Sequence, residues 1–395
     1  MGLSLGLAEK LFLKHNLSGL KNRIIVNGTR GKSTVTRLLT AAFLEAGIRT
    51  VGKTTGSEAR IISFRQKAGK LEWFEQEMLR PPEGANIKEA RRLVRLAGEM
   101  KAKALITECL AVEPGLQDVF ARQYICANVT VITNVLRDHM EVLGPGLEDT
   151  AEAFAATIPR KGLVVTLSGP FTDFFREEAI KKGSRLEIAR KEELPAGFSN
   201  NFSYPVFPDA LAIALKTALC LGIKKDVALK GILKAPADPG TLSLMKLVGE
   251  EKGNRVENPF IKAFAANDPA SALAAWDYYA AFGLDLKDGV IILNCRKDRV
   301  ERTKDFVRFV LPRLGGEYLV LTGAGGKPLL KNNKALPFKE ILDWENLPGT
   351  TVLSRLKQLA GKGRVFLGLG NYCGPARELC LALEDEQERW NHPCR

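Results

Sequence analysis

Short apolar runs alternate with amphipathic segments of helical spacing along most of this sequence, and this alternation limits the possible folds more than any other feature. The runs are mostly aliphatic and lie at 23–27, 104–107, 129–133, 163–166, 290–293, 318–321 and 365–369. Short strands that alternate with helices are typical of βαβ units, in which helices cover both faces of a parallel sheet. The pattern therefore predicts an α/β fold.

A glycine-containing loop follows the first of these runs. It reads Gly-Thr-Arg-Gly-Lys-Ser over 28–33, and an amphipathic helix is predicted from 32 to 46. Backbone N–H groups of such a loop converge on an anion, Lys32 adds a positive charge, and the Ser33 hydroxyl can bind Mg²⁺. The general Walker pattern would place a glycine at position 26, which is valine here, so the loop is a variant. The segment predicts a site for a nucleoside triphosphate.

Polar residues also follow two other predicted strands. The second run ends in Glu108, and the third is followed by Asn134, Asp138 and His139. Because the carboxyl ends of parallel strands share one edge of a sheet, we expect these side chains beside the phosphate loop. In this interpretation Glu108 binds a magnesium ion, and His139 either binds a second magnesium ion or helps to orient it.

The length of 395 residues favours two domains, and a polar stretch over 249–254 interrupts the alternation before new βα units begin. We therefore expect an N-terminal extension over 1–22, a P-loop-type parallel-sheet ATPase domain over 23–250 and a smaller Rossmann-like α/β domain over 251–395. Besides the helix at 32–46, helices are predicted at 86–101, 147–158, 209–221 and 269–282.

The charge balance indicates anionic partners. Lys and Arg number 58 against 45 Asp and Glu, which gives a net charge of +13. This surplus would attract nucleic acid, anionic lipid, nucleotides or polyanionic substrates alike. Aromatic residues make up only 7% and no nucleic-acid-binding module is recognised, so we expect no nucleic-acid partner.

The cysteines and the hydropathy bear on location. None of the seven cysteines forms a Cys-x-x-Cys pair, and the N-terminus does not resemble a secretory signal. No apolar stretch reaches the roughly 18 residues that a membrane helix needs. These features predict a reducing, cytoplasmic location.

Several segments resemble those of one family. They read NGTRGKSTVTRL at 27–38, VGKTTG at 51–56, ECLAV at 108–112, TNVLRDH at 133–139, APADPG at 235–240, FAANDP at 264–269 and LNCRKDRV at 293–300. They resemble the Mur ligase superfamily of ATP-dependent amide ligases and, within it, the ligase-subunit family of poly-γ-glutamate synthases, which serve capsule biosynthesis. The resemblance runs from about residue 23 to residue 371 and preserves the order of the motifs.

The resemblance implies an ADP-forming ligase that adds glutamate to poly-γ-glutamate, with ATP and Mg²⁺ as cofactors. The terminal γ-carboxylate of the polymer would attack the γ-phosphate of ATP, and the amine of the next glutamate would displace phosphate from the acyl phosphate. Glutamate and a polyglutamate acceptor are the implied substrates. Membrane partner subunits of a synthase complex are also implied, so any membrane association would come through them, and we expect a homo-oligomer.

The resemblance also assigns residues. The triphosphate would be held by Gly28, Thr29, Arg30, Gly31, Lys32, Ser33 and Thr34. Ser33 and Glu108 would hold the first magnesium ion and His139 the second, while Lys53 would receive the acceptor carboxylate. Asn134 would approach the adenine. Nucleotide contacts from the C-terminal domain would come from Asn267, Arg296, Asp298 and Arg299.

The sequence departs from the superfamily that it resembles in two respects. Mur ligases often carry, after the Asp-His segment, a lysine whose carbamate binds the second magnesium ion, and the stretch 153–159 contains no lysine. His139 would then need another partner. No domain for a UDP-linked precursor is expected before the phosphate loop, which argues against a peptidoglycan substrate.

Two alternatives stay open. A Mur-type ligase could join another amino acid to a carboxylate acceptor, or the +13 charge could belong to a P-loop ATPase stimulated by nucleic acid. One basic run has helical spacing: Lys88, Arg91, Arg92 and Arg95. We interpret this run as a solvated helix face rather than as a polyglutamate-binding surface.

Overall fold

The computed structural model describes residues 11–391 except 57, 81–85, 203, 267 and 331–335, and of 388–391 only the backbone. The chain divides into two compact units, 1–238 and 239–395. Each unit contains one sheet, of eight strands in the first and six in the second. Most strand pairs in both sheets are parallel, and the predicted α/β class is confirmed.

The strands of the first unit are β1 (Asn22–Asn27), β2 (Thr50–Thr54), β3 (Arg60–Lys67), β4 (Lys70–Glu77), β5 (Ala104–Glu108), β6 (Val129–Ile132), β7 (Leu163–Leu167) and β8 (Arg185–Ala189). Their order in the sheet is β4-β3-β2-β5-β1-β6-β7-β8. The six strands from β2 to β8 in this order are parallel, and β3 and β4 add an antiparallel hairpin at one edge. The strand with the phosphate loop therefore lies inside the sheet.

The helices of the first unit are α1 (Lys32–Glu45), α2 (Glu89–Glu99), α3 (Pro114–Val119), α4 (Met140–Leu143), α5 (Leu147–Ala155), α6 (Thr172–Lys181), α7 (Pro208–Cys220) and α8 (Lys225–Leu233). Residues 11–18 are also helical, and a π-helical segment, Phe120–Ile125, extends α3. Apolar side chains of α1, α7 and α8 pack on one face of the sheet, and those of α2, α5 and α6 pack on the other. Because helices cover both faces, the central strands are mostly apolar on both of their sides.

Helix α1, which follows the phosphate loop, is deeply buried and ends just before a glycine. Its residues from Val35 to Leu44 are all buried, so this helix packs deep inside the unit. It ends at Glu45, and Gly47 follows with φ +73° and a backbone N–H that donates to the Leu44 carbonyl at 3.0 Å. A glycine in this left-handed conformation is a common helix terminator.

The second unit has strands β9 (Ser243–Glu251), β10 (Asn254–Lys262), β11 (Val290–Cys295), β12 (Gly316–Gly323), β13 (Phe338–Asp343) and β14 (Phe366–Gly370). Their order is β13-β12-β11-β14-β10-β9, and β9 alone pairs antiparallel among the described strands of this sheet. The helices are α9 (Pro269–Ala280), α10 (Val300–Asp305), α11 (Leu311–Leu314), α12 (Lys327–Leu330), α13 (Gly349–Gln358) and α14 (Pro375–Asn391). Two apolar clusters cover the two faces of this sheet.

The predicted domain boundary near residue 250 differs from the structural division after Asp238. The polar stretch 249–254 is the turn of the β9–β10 hairpin, in which Lys252 and Gly253 have φ of +50° and +80°. A tight hairpin turn needs the same polar and glycine residues as a linker, which explains the difference. The predicted extension 1–22 also reaches into the fold, because Leu17 and Leu20 are buried in the core and β1 begins at Asn22.

Within the described ranges, no helix is both long enough and apolar enough to cross a membrane.

Candidate active site

The phosphate loop lies at the carboxyl end of β1, flanked by the ends of two neighbouring strands. In the register of the sheet, Val26 is aligned with Glu108 of β5, and Asn27 is aligned with Ile132 of β6. Glu108 and the segment that follows β6 therefore stand on either side of the loop. This is the arrangement that the strand ends in the sequence predict.

Two glycines set the path of the loop. Gly28 has φ +121°, and a Cβ on it would lie 2.2 Å from Thr133 Oγ1, so the close approach of the two segments excludes a side chain. Gly31 has φ +79°, but a Cβ there would meet no atom within 4 Å. Gly31 precedes α1 without a side-chain cap, which leaves the backbone N–H groups of the first helical turn to an outside acceptor.

Thr133 and Asn134 hold the loop in place. The Asn134 side chain accepts a hydrogen bond from the Arg30 N–H at 2.9 Å and donates to the Arg30 carbonyl at 3.3 Å. The Thr133 hydroxyl donates to the same carbonyl at 2.7 Å. On the other side, the Thr29 hydroxyl exchanges hydrogen bonds with the backbone of Leu136 at 2.9 and 3.1 Å. The loop is therefore fixed by the segment after β6.

Lys32 lies in the loop with its ammonium near both backbone and acidic groups. Its Nζ donates to the carbonyls of Gly28 at 2.6 Å and Thr29 at 3.1 Å. Desolvation lowers the pKa of Lys32, while the nearby charge of Glu108 opposes that shift. The position at the start of α1 is the one in which a lysine supports bound phosphates.

Glu108 is a buried carboxylate with one unused oxygen. The side chain is 1% exposed, and Oε2 accepts a hydrogen bond from the Thr55 hydroxyl at 2.5 Å. Oε1 has no hydrogen-bond partner among the described residues. A buried, unsatisfied carboxylate oxygen is costly unless a cation completes it, so Glu108 fits the magnesium ligand that was predicted from the sequence.

Ser33 lies next to the segment that carries Lys53. A Cβ on Gly56 would be 2.6 Å from Ser33 Oγ, so the glycine leaves room around the hydroxyl. Thr55 of the same segment binds Glu108. The segment 51–56 therefore runs past both predicted ligands of the first metal ion.

Lys53 is a buried cation at the end of β2. Its side chain is 1% exposed, and Nζ lies 2.8 Å from Glu89 Oε2, at the start of α2. Arg80 approaches the other oxygen of Glu89 at 2.9 Å. Burial alone would raise the pKa of Glu89, but the hydrogen bonds from Arg80 and Lys53 outweigh it and lower that pKa. Desolvation lowers the pKa of Lys53, and Glu89 counteracts the shift.

His139 is separate from Glu108 in its contacts. The residue has φ +50°, and its ring nitrogens lie 3.3 Å from Glu141 and 3.9 Å from Asp138. Asp138 in turn pairs with Arg30 at 3.0 Å. Among the described residues no three His, Cys, Asp or Glu side chains form a group that could hold a metal ion. The role of His139 at a second ion therefore stays a prediction.

A cavity of about 520 Å³ opens beside the loop, at the carboxyl ends of β6, β7 and β8. Its lining includes Thr133, Asn134, Thr166, Phe171 and Arg190. Because the Asn134 amide binds the backbone of Arg30 on both sides, the structure gives this residue a supporting role for the loop. Its predicted approach to adenine stays a prediction, and the cavity adds lining residues that the sequence did not indicate.

The C-terminal residues form their own cluster. Arg296 makes a bidentate pair with Asp298 at 2.9 and 2.6 Å, and both line a cavity of about 480 Å³ at the ends of β11, β12 and β14. Arg299 precedes α10, and its N–H donates to the Arg296 carbonyl at 3.1 Å. Asn267 lies outside the described residues. The nucleotide contacts of all four residues stay predictions.

Three contributors were missed at the sequence level. Glu89, which neutralises Lys53, lies on a helix where a glutamate carries no distinctive signal. Thr55 binds Glu108, and Gln117 accepts a 2.8 Å hydrogen bond from the Asn27 side chain behind the loop. Only Thr55 could have been found, because it lies in the motif 51–56 that the sequence singled out.

Comparisons with known proteins identify the fold of the chain. The family model of the Mur ligase middle domain matches residues 26–194, and that of the poly-gamma-glutamate synthase CapB C-terminal domain matches 248–386. A solved folylpolyglutamate synthase/dihydrofolate synthase with Mn, AMPPNP and L-glutamate bound superposes with a TM-score of 0.67, at 17% identity, over 95% of this chain and 93% of that chain. The likeness shows that the chain has the fold of these ligases.

Two curated relatives are much more similar in sequence. The capsule biosynthesis protein CapB of Bacillus anthracis is 39% identical over 97% of this chain and 80% of its own length. The PGA synthase CapB of Bacillus subtilis (strain 168) is 38% identical over 97% of this chain and 95% of its own length. The chain therefore belongs to the CapB family of poly-γ-glutamate synthases.

Proposed function

We propose that this protein is an ATP-dependent amide ligase that adds glutamate to the end of poly-γ-glutamate. The observation that carries the proposal is the identity of 38–39% to CapB proteins over nearly the whole chain. The relatives are named for capsule biosynthesis and PGA synthesis. The phosphate loop and the buried Glu108 supply the local chemistry that such a ligase requires.

In the proposed reaction, an oxygen of the terminal γ-carboxylate attacks the γ-phosphorus of ATP, and ADP leaves. The amine of the incoming glutamate then attacks the acyl carbon, inorganic phosphate leaves, and the nitrogen loses a proton as the amide forms. Lys32 and the N–H groups at the start of α1 would hold the phosphates. Lys53 would orient the acceptor carboxylate, with Glu89 and Arg80 fixing its ammonium.

A divalent cation, which we propose to be Mg²⁺, would be held by Ser33 and Glu108. The unpartnered Oε1 of Glu108 and the open space that Gly56 leaves at the Ser33 hydroxyl support this assignment. Such an ion supplies charge neutralisation between ATP and the attacking carboxylate. The related folylpolyglutamate synthase/dihydrofolate synthase binds Mn and AMPPNP, which supports a nucleotide and a divalent ion here. For His139 we propose a role at a second ion.

The rest of the assignment is also a proposal. The nucleoside would enter the cavity beside Asn134, and the C-terminal unit would contact it through Asn267, Arg296, Asp298 and Arg299. We further propose a cytoplasmic enzyme that works with membrane partner subunits and forms a homo-oligomer. The cysteines support the location, because the six that are described are free thiols.

The test is product analysis with a panel of acceptors. The protein is incubated with ATP, Mg²⁺ and L- or D-glutamate, alone and with polyglutamates of several lengths, and ADP release and product mass are measured. We expect ADP release that depends on polyglutamate, together with polymers lengthened by one glutamate mass. Glu108→Gln should abolish both signals and also the thermal stabilisation by ATP with Mg²⁺.

Two results would contradict the proposal. A product that contains another amino acid would favour the Mur-type alternative, in which the ligase chemistry is the same but the substrate differs. ADP release that ignores every carboxylate acceptor but responds to DNA or RNA at physiological salt would favour a nucleic-acid-stimulated ATPase.

A further inference from the structure

The exposed face of α2 carries an unbroken basic stripe. Lys88, at the N-cap, and Arg91, Arg92 and Arg95 are all exposed and lie on one side of the helix. The opposite side is apolar and buried in the core through Ala90, Leu93, Val94 and Ala97. The packing of the helix therefore fixes the direction in which the stripe faces.

The stripe begins near the candidate active site. Glu89, in the first turn of α2, binds Lys53 at 2.8 Å at the carboxyl end of β2. The helix then runs back along the sheet and ends at Glu99, shortly before β5 starts at Ala104. With a rise of about 1.5 Å per residue, the stripe from 88 to 95 covers about 10 Å. It leads from the Lys53 end toward the amino-terminal edge of the sheet.

A large cavity of about 1270 Å³ lies along the whole length of the stripe. The cavity is lined by the four basic residues of the stripe and by Lys14, Arg23 and Arg122, and no acidic side chain among the described residues lines it. Phe12 and Leu13 add an apolar wall. The site is therefore concave, elongated and strongly positive.

Part of the positive charge has no carboxylate partner among the described residues. Arg122 pairs with Asp118 at 2.6 Å, and Arg95 lies 3.6 Å from Glu99. The side chains of Lys14, Lys88 and Arg92 have no carboxylate partner in the described part of the chain. We define these residues, with Arg91, Arg23, Arg95 and Arg122, as the basic track.

The sequence alone favoured a solvated face for the run 88–95, but the concave basic lining points to a ligand. We infer that the basic track binds the body of the polyglutamate acceptor while its terminal carboxylate lies at Lys53, an inference that rests on the proposed function. Every γ-linked residue keeps a free α-carboxylate, so the polymer presents regularly spaced negative charges. Arg side chains bind carboxylates through two parallel hydrogen bonds, and several weak exposed contacts on one chain add up. A concave track fits an extended chain better than it fits the flat surface of a bilayer.

The test compares acceptors of different length in a variant that reverses two unpaired charges, Lys88→Glu/Arg92→Glu. For a long acceptor we expect KM to rise by about tenfold, since electrostatic attraction of a polyanion changes on that scale. KM for ATP and for a single-residue or dipeptide acceptor should stay within twofold of the wild-type values. The matched control is Lys224→Glu/Lys225→Glu, which reverses two exposed lysines at the start of α8 and should leave all three constants unchanged.

A binding measurement separates this inference from the proposed function. Fluorescently labelled polyglutamate is titrated with the protein without ATP, at low and physiological salt, and we expect the Lys88→Glu/Arg92→Glu variant to lose affinity and much of the salt dependence. Equal affinity in the variant and the control would overturn the track, whether or not the protein shows ligase activity. Tighter binding of anionic phospholipid vesicles or of single-stranded DNA than of polyglutamate would overturn it as well.

Discussion

The carboxyl edges of the two sheets carry charge in opposite ways. In the first unit Lys53 and Glu108 are each 1% exposed, and one oxygen of Glu108 has no partner in the described part of the chain. In the second unit Arg296 and Asp298 are 39% and 63% exposed and bind each other in a bidentate pair. Their hydrogen bond raises the pKa of Arg296 and lowers that of Asp298, so both charged forms are favoured without any ligand.

The first edge therefore has the properties of a site that binds a charged ligand, whereas the charges at the second edge already neutralise each other. Burying an ion with unsatisfied hydrogen-bonding atoms costs free energy. A fold that retains such an ion is therefore expected to use it to bind a ligand of opposite charge. An exposed ion pair loses little solvation free energy and contributes little to the stability of the fold. The contrast predicts that the chemistry depends on the first edge and that the second edge modulates affinity.

The largest effect should come from Lys32→Met. We expect kcat to fall by about 10³-fold or more, because in the proposed mechanism this positive charge stabilises the transferred phosphoryl group. The melting temperature should change little, since relief of the desolvated ammonium offsets the hydrogen bonds that Nζ donates to Gly28 and Thr29. Steady-state ADP release and thermal unfolding measure the two quantities. Arg296→Ala is the counterpart in the second unit. A loss of kcat as large as that of Lys32→Met would contradict the conclusion that the chemistry depends on the first edge.

Gly28→Ala should have the next largest effect. Its Cβ would meet Thr133 Oγ1 at 2.2 Å and the Thr133 backbone nitrogen at 2.9 Å, so the loop or the segment after β6 must move. We expect ATP affinity, measured by calorimetry, to fall by at least about tenfold, since displaced N–H groups no longer match the phosphates. Gly31→Ala is the matched control. It introduces a backbone strain of about 1–3 kcal/mol, because Gly31 has a positive φ, but its Cβ would meet no other atom. Equal losses in both variants would contradict the close packing.

Glu89→Gln tests the buried charge cluster through pH. Removing the carboxylate leaves Lys53 buried with only a neutral partner, and we expect a loss of about 3 kcal/mol in the free energy of unfolding at neutral pH. The pKa of Glu89 is lowered from 4.5 in the folded state, so its stabilisation is complete above pH 4.5 and disappears as the pH falls through the folded-state value. Melting curves of both proteins should therefore converge in acid. A difference that stays constant down to low pH would contradict an ionised Glu89.

Asp298→Asn should have the smallest effect. The pair with Arg296 is exposed, so we expect the free energy of unfolding to change by less than about 1 kcal/mol. Added salt should reduce even this difference, because exposed charges are screened. Thermal unfolding at low and high salt measures it, and a large change that salt does not affect would show that this edge is more buried in solution than in the structure.

The sequence predicted the elements that carry regular patterns. The five predicted helices form with ends that differ by at most three residues, and the strands that precede the phosphate loop, Glu108 and Asn134 lie next to each other in the sheet. These features follow from local periodicity and from the rule that parallel strands end at one edge.

The sequence did not predict features that depend on contacts between distant residues. The β3–β4 hairpin is mostly polar, so no apolar run marks it. The pairing of Lys53 with Glu89 joins residues from separate elements, and nothing in their spacing indicates it. The boundary predicted near 250 and the division after Asp238 differ because a hairpin turn and a linker share their composition.

The hydrogen bonds that Thr133 and Asn134 make to the backbone of Arg30 have a further consequence for turnover. Ordering one residue costs about 1–2 kcal/mol of conformational entropy, and a loop that is already held spares this cost when the nucleotide arrives. The same rigidity means that little must rearrange when ADP leaves. An enzyme that repeats one step for each added monomer gains from a binding loop that resets without refolding.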